Sequence, residues 1–167
     1  MIEIAACQAA HLPGAIAIWN EVVEAGQAFP QLEALDLESG RAFFAAQSFT
    51  GIAVDSVSGA VCGLYILHPN NVGRCGHICN ASYAVATAAR GQGVGELLVR
   101  HSMDEGRRLG FRILQFNAVV CTNHPALRLY EKLGVRPFGR HTGRLFGPGW
   151  RVSRHHPSLS RAVADRL

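Results

Sequence analysis

Arg90-Gly91-Gln92-Gly93-Val94-Gly95 lies between two stretches of opposite character, and its reading decides the fold. Residues 78–85 before it, Ile-Cys-Asn-Ala-Ser-Tyr-Ala-Val, read as a strand. After it, Val94, Leu98, Ser102 and Leu109 fall near one face of a helix, and Gly110 stands where a helix stop is expected. A glycine loop that follows a strand and opens a helix aims backbone N–H groups and the positive end of the helix dipole at one point, which suits an anion. Two nucleotide loops are excluded. A Walker loop ends in Gly-Lys-Ser/Thr, whereas Gly95 is followed by Glu96-Leu97. A dinucleotide fingerprint needs two residues between its second and third glycines, and only Val94 separates Gly93 from Gly95. Taken alone, the hexapeptide reads equally well as an ordinary turn before a helix.

Upstream, residues 2–6 alternate as a first strand and residues 11–25 form a helix with Ile16, Trp19, Val22 and Val23 near one face. Residues 36–47, carrying Leu37, Phe43 and Phe44, suit a second helix. Residues 49–55 and 60–68 are strand-like runs joined by Ser56-Val57-Ser58-Gly59, which predicts an antiparallel pair. Pro69 to Gly73 breaks the chain. Downstream, residues 113–120 predict a central strand buried on both faces, and residues 125–133 a helix with Pro125 in its first turn. Residues 140–167 hold Gly143, Gly147, Pro148, Gly149 and Pro157 among scattered arginines, offer no clean strand, and are expected to be irregular or partly disordered. Residues 160–167 read as a short helix or as disorder. Strand pairing across residues 150–160 would refute that expectation.

The 167 residues suit one domain with a single core. Hydrophobic residues make up 49% and charged residues 17%, a globular balance. No apolar run approaches the ~18 residues that span a bilayer, and the opening residues lack the basic start of an export signal. Five scattered cysteines suggest reduced thiols in a cytoplasmic protein. Cys75, His77 and Cys79 alternate without the second ligand pair of a zinc signature, so no metal is expected. The net charge of +4 comes from arginines spread along the chain, with Lys132 the one lysine. No aromatic-basic stripe accompanies them, so nucleic acid is not the expected partner, and a polyanionic small molecule uses the same charge with less surface.

The loop resembles the Arg/Gln-x-x-Gly-x-Gly/Ala pyrophosphate loop of the Gcn5-related N-acetyltransferase (GNAT) family. Asn123-His124-Pro125-Ala126-Leu127-Arg128-Leu129-Tyr130-Glu131-Lys132-Leu133-Gly134-Val135 resembles that family's second signature, Asn-x-x-Ala-x-x-Leu-Tyr-x-x-x-Gly-Phe. The likeness covers roughly residues 2–138. It implies an α/β (α+β) GNAT fold, a mixed sheet of about six to seven strands flanked by about four helices. The domain would span residues 1–139, with 140–167 a divergent segment, since relatives generally finish with an apolar strand. Asn80-Ala81-Ser82-Tyr83, Gln115 to Val120 and Thr122-Asn123 further resemble the branch of phosphinothricin-type and small amino-acid acetyltransferases. They are also similar to the yeast acetyltransferase that detoxifies azetidine-2-carboxylate.

The resemblance implies transfer of acetyl from acetyl-coenzyme A to a small-molecule amine by direct attack in a ternary complex. Cofactor contacts would come from Val85, Arg90, Gly91, Gln92, Gly93, Val94, Gly95, Glu96 and Asn123, with the Val85 N–H polarising the thioester carbonyl. Tyr130 would protonate the departing thiolate. Asn80 and Asn117 would hold the substrate's carboxylate or carbonyl; as amides in strands that read as buried, each needs a polar partner. No carboxylate occupies residues 116–121, where many relatives carry a base, leaving Glu21, His77 and Ser82 as candidates acting through water. An acyl-cysteine route through Cys79 or Cys121 lacks a paired histidine. Dimers are common among relatives, and a homodimer stays open. Other acceptors, a peptide N-terminus or an antibiotic amine, and a non-catalytic coenzyme A-binding module are the alternatives.

Overall fold

The computed structural model describes residues 1–26, 28–141, 159–165 and 167. A single mixed sheet organises them, with strand order β1-β2-β3-β4-β5-β7-β6. The strands are β1 (Ile2–Ala6), β2 (Phe49–Asp55), β3 (Val61–Pro69), β4 (Ile78–Val85), β5 (Ile113–Val120), β6 (Arg136–His141) and β7 (Leu159–Asp165). The first four form an antiparallel meander, β5 joins β4 in parallel, and β7 enters antiparallel to both β5 and β6. Among the described residues the helices are α1 (Leu12–Ala25), α2 (Leu37–Ala45), α3 (Val94–Arg108) and α4 (His124–Lys132).

Period-two alternation gives the sheet two cores. Ile52, Leu64, Ile66 and Ala84 face α1 and α2, where Trp19 is 1% exposed and packs on Phe29 and Phe43. Their neighbours Ala53, Tyr65, Leu67 and Ala81 face the other way, against Val94 and Leu98 of α3. Each fully buried Leu, Ile or Val side chain contributes about 1.5–3 kcal/mol.

Local chemistry sets the helix ends. Asp36 Oδ1 accepts from the Ser39 N–H at 2.7 Å while the Asp36 N–H donates to Ser39 Oγ at 2.9 Å, a reciprocal cap that starts α2. The β2–β3 turn is held by Asp55 Oδ1, which accepts from the Val57 and Ser58 N–H groups at 3.0 and 2.9 Å.

Two expectations are corrected. Residues 159–165 are a strand, not a helix or disorder: β7 pairs along both β5 and β6, and Ala162 and Ala164 are buried. Its alanines are small enough to lie under neighbouring side chains, which is why they gave no apolar strand signal. Residues 142–158, and with them most of the irregular tail expected from sequence, lie outside the described residues. The second correction concerns β5, which is central but buried mainly on one face. Leu114 and Phe116 enter the core on the α3 and α4 side, while Asn117 is exposed because the α1–α2 core covers only β2 to β4. A register shift between Phe116 and Val119 lets Val119 and Val120 both be buried.

Gly63 on β3 sets how closely α3 lies on the sheet. A Cβ there would stand 2.9 Å from the Ala84 carbonyl oxygen, 3.1 Å from Leu98 Cδ1 and 3.2 Å from Val94 Cγ1. Gly63→Ala is therefore expected to destabilise the protein by about 1–3 kcal/mol, read as a lower urea midpoint with an unchanged slope.

Candidate functional site

The parallel strands β4 and β5 are in register only at Ile78↔Ile113 and Cys79↔Leu114. Beyond that point they diverge. Side chains from both fill the mouth of the gap, and α4 forms part of its wall. The resulting cleft, of about 220 Å³, is lined by Asn80, Ser82, Tyr83, Phe116, Asn117, Asn123 and Tyr130, with Phe29 and Pro30 from the segment after α1.

Strand geometry leaves main-chain groups facing this gap. The Ala86 N–H donates to the Cys62 carbonyl of β3 at 3.0 Å. Successive N–H groups of a strand point to opposite edges, so the Val85 N–H is directed away from β3, toward the gap. The Val85 carbonyl shares that edge and accepts from Arg90 Nε at 3.4 Å.

At the far end of β4 the glycine loop turns into α3. Gly91 and Gly93 have φ of 77° and 81°, left-handed values that favour glycine, and Gly93 is the N-cap. The Leu97 N–H is the first to bond back, to Gly93 O at 3.2 Å. The N–H groups of Val94, Gly95 and Glu96 are thus the open donors of the helix start. The Glu96 carboxylate is drawn aside by Lys132 Nζ at 2.6 Å and Arg100 at 2.8 Å, and these hydrogen bonds hold it below the usual carboxylate range. Its charge is offset, so the loop keeps its attraction for an anion. Gln92 Nε2 donates to the Ala88 carbonyl at 2.9 Å, a contact that shapes the loop from within. The donor set fits a pyrophosphate.

Tyr130 stacks on Phe116 with centroids 4.5 Å apart and planes 17° from parallel. Burial pushes its phenol well above its ordinary value, so it carries its proton at any physiological pH. Across the cleft the Tyr83 hydroxyl is 2.7 Å from Ser102 Oγ, and its phenol too is pushed up, by burial first and then by the neighbouring Tyr130.

The asparagines have partners of unexpected kinds. Asn80 Nδ2 lies 3.2 Å from Nε2 of His68 on β3. Asn117 Nδ2 donates to Asn70 Oδ1 at 2.6 Å, and its own Oδ1 accepts from Gln115 Nε2 at 2.8 Å. Asn123 Oδ1 caps α4 by accepting from the Ala126 N–H at 3.2 Å, which leaves its Nδ2 as the arm for the cleft.

Of the three base candidates, Ser82 alone lines the cleft. Glu21 accepts from the Thr87 hydroxyl and lies 3.8 Å from Arg90, so it braces the glycine loop. His77 Nδ1 bonds the Arg74 carbonyl at 3.1 Å at the opposite end of β4. Burial pushes the Cys79 thiol up to about 12, which makes it a poor nucleophile. Cys75 is exposed while Cys79 is buried, and among the described residues no three His, Cys, Asp or Glu side chains gather to hold a metal. Sequence reasoning missed His68 and Asn70, because counting back from Asn80 fails across the loop at 70–77; the β3–β4 register sets His68 opposite Asn80, and Asn70 meets Asn117 through its side chain.

Residues 16–135 match the acetyltransferase (GNAT) family. The chain belongs to that family. Among curated relatives it is similar to the N-acetyltransferase aca1 of Schizosaccharomyces pombe, 35% identical over 108 residues, covering 60% of this chain and 52% of aca1. It is also similar to Protein SPT10 of Saccharomyces cerevisiae, 30% identical over 78 residues, which cover 47% of this chain and 12% of that protein. The chain thus spans about half the length of the first and a small part of the second. Among solved structures, a GCN5-related N-acetyltransferase from Kribbella flavida superposes with a TM-score of 0.86 at 32% identity, covering 98% of this chain and 97% of that one. A phosphinothricin acetyltransferase from Sinorhizobium meliloti, in complex with AcCoA, superposes with a TM-score of 0.85 at 20% identity over 99% and 88% of the two chains, a likeness of fold. The seven-stranded mixed sheet with its four helices is the GNAT fold.

All three tyrosines, Tyr65, Tyr83 and Tyr130, are shifted upward by burial. A phenol that ionises more readily in the unfolded chain lends stability that is complete below the unfolded value of about 10 and declines as pH rises above it. The native protein is therefore expected to show no phenolate absorbance near pH 10, and its urea midpoint should fall as pH is raised further. Early, reversible phenolate absorbance with an unchanged midpoint would contradict the burial of these side chains.

Proposed function

We propose that the protein is an acetyl-coenzyme A-dependent N-acetyltransferase acting on the amine of a small amino acid or an amino-acid-like compound. One observation carries the reading: the β4–β5 gap brings a proton-bearing phenol and three carboxamides to one cleft, with the Val85 N–H directed to the same gap and open helix-start donors beyond the end of β4. The family supports acetyl transfer. A cleft of about 220 Å³ supports a small acceptor over a peptide. Among the described residues no carboxylate lines it, which disfavours a polycationic antibiotic.

The bound cosubstrate supplies an activated acetyl thioester. The N–H groups of Val94, Gly95 and Glu96, with the α3 dipole and the turn from Arg90 to Gly93, hold its pyrophosphate. Asn123 offers Nδ2 to the pantetheine arm. The Val85 N–H donates where charge develops on the carbonyl oxygen, and Tyr130 holds a proton for the departing sulfur. Asn80 and Asn117 orient the acceptor, giving up their present partners to do so. The fold offers no constraint on a dimer.

A thiol-release assay with acetyl-coenzyme A against free amino acids, azetidine-2-carboxylate, phosphinothricin and short peptides tests this. Turnover is expected on at least one small amine and not on the peptides. Tyr130→Phe should lower kcat by roughly 10²-fold or more while leaving acetyl-coenzyme A binding within about twofold. Cosubstrate binding without turnover on any member, in wild type and variant alike, would replace the enzyme with a binding module.

A further inference from the structure

Among the described residues lining the cleft no side chain is basic, and the neighbouring cavity holds one suited to accept the amine's proton. A second cavity, of about 410 Å³, adjoins the first and shares Pro30, Asn80 and Ser82 with it. Its remaining lining includes Gln31, Gln47 and His68. His68 is half-buried at the end of β3, directly opposite Asn80 in the β3–β4 register.

The hydrogen bonds of His68 define its tautomer. Nδ1 lies 3.0 Å from the Pro69 carbonyl oxygen, an atom that can only accept, so Nδ1 carries the hydrogen. In the neutral ring Nε2 is then a lone pair. Its neighbour at 3.2 Å is Asn80 Nδ2, which can only donate, so the two assignments agree. An imidazole nitrogen with a free lone pair is suited to accept a proton and pass it on. Among the described residues lining the two cavities, the other titratable groups are Tyr83 and Tyr130, both held neutral by burial. Phe43 of α2, Gln47 just beyond α2, Asn80 and Ser82 of β4, and Gln31 of the segment after α1 line the same cavity as the ring, none of them charged.

Resting on the acetyltransferase reading, we propose that His68 is the proton acceptor for the attacking amine, unmasked when Asn80 turns its Nδ2 from His68 to the acceptor's carbonyl or carboxylate oxygen. The bond from the amine nitrogen to the acetyl carbon forms, and the proton released from that nitrogen passes to His68 Nε2 directly or across one water beside Ser82. The carbon–sulfur bond breaks, and the sulfur takes the Tyr130 hydroxyl proton. Exchange with solvent then returns His68 and Tyr130 to their starting states. The net reaction is amine plus thioester to amide plus thiol, with no other reactant.

The test pairs a rate profile with a spectrum. With the free amino acid or analogue from the panel that the wild type acetylates fastest, log kcat/KM against pH should have a slope of two at acid pH, because both the amine and His68 must lose a proton, and a slope of one above. His68→Gln keeps an acceptor for Asn80 but no basic nitrogen. It should show a slope of one throughout and a rate lowered roughly 10²-fold at neutral pH, with acetyl-coenzyme A affinity unchanged. Imidazole added to His68→Ala should restore part of the rate. Independently, imidazole ¹⁵N spectra of the free wild-type protein should show the Nδ1–H form of His68. A slope of two retained in His68→Gln, or an Nε2–H tautomer, overturns the proposal while leaving the acetyltransferase standing. Absence of transfer by the wild type to every member of the panel overturns both.

Discussion

Everything at the site depends on two parallel strands that stop pairing. β4 and β5 hold each other at Ile78↔Ile113 and Cys79↔Leu114 and then separate, each retaining its other neighbour, β3 or β7. An edge of unpaired main-chain donors and acceptors inside a sheet is costly unless a ligand or solvent satisfies it. The gap is thus both a defect in the ladder and the proposed binding surface. The antiparallel meander on one side and the β5–β7–β6 unit on the other keep it from closing. The helices hold the shape: α3 fills one core directly beneath Gly63, and α4 stacks Tyr130 on Phe116 of the diverging strand.

The same divergence accounts for how charge is arranged. The loop at the end of β4 presents open backbone donors, and the one acidic side chain of its first helical turn is neutralised by Lys132 and Arg100. Glu21 reaches across from α1 to the Thr87 hydroxyl and lies near Arg90, so α1 braces the turn that leads into the glycine loop. Among the described residues lining the two cavities, the polar side chains are amides, hydroxyls and one imidazole.

Much of this was legible from residue pattern. The strands through Val120 and the helices through α4 follow from periodicity, and the glycine loop with the Asn123–Gly134 motif marks the cofactor end. Three things were not. β7 carries alternating alanines, which bury little area and give a weak apolar signal, so its place came only from pairing with β5 and β6. His68 ends an apolar run, and nothing local distinguishes it from a surface histidine. Its meaning depends on a register across the loop at 70–77 that sequence spacing does not set. Asn117 was misjudged for a related reason: its strand is apolar on average, and which face lacks a covering helix is a tertiary fact.

The position of β7 has a consequence for how the chain assembles. β6 precedes β7 along the chain but lies outside it in the sheet, so β5 and β6 cannot pair as they emerge. Until residues 159–165 have been synthesised, the outer edge of β5 stays open while the meander is already complete. A vacant edge of this kind invites strands of other chains. During biogenesis the second half of the sheet is therefore the vulnerable half, and its protection rests on the late arrival of one alanine-bearing strand.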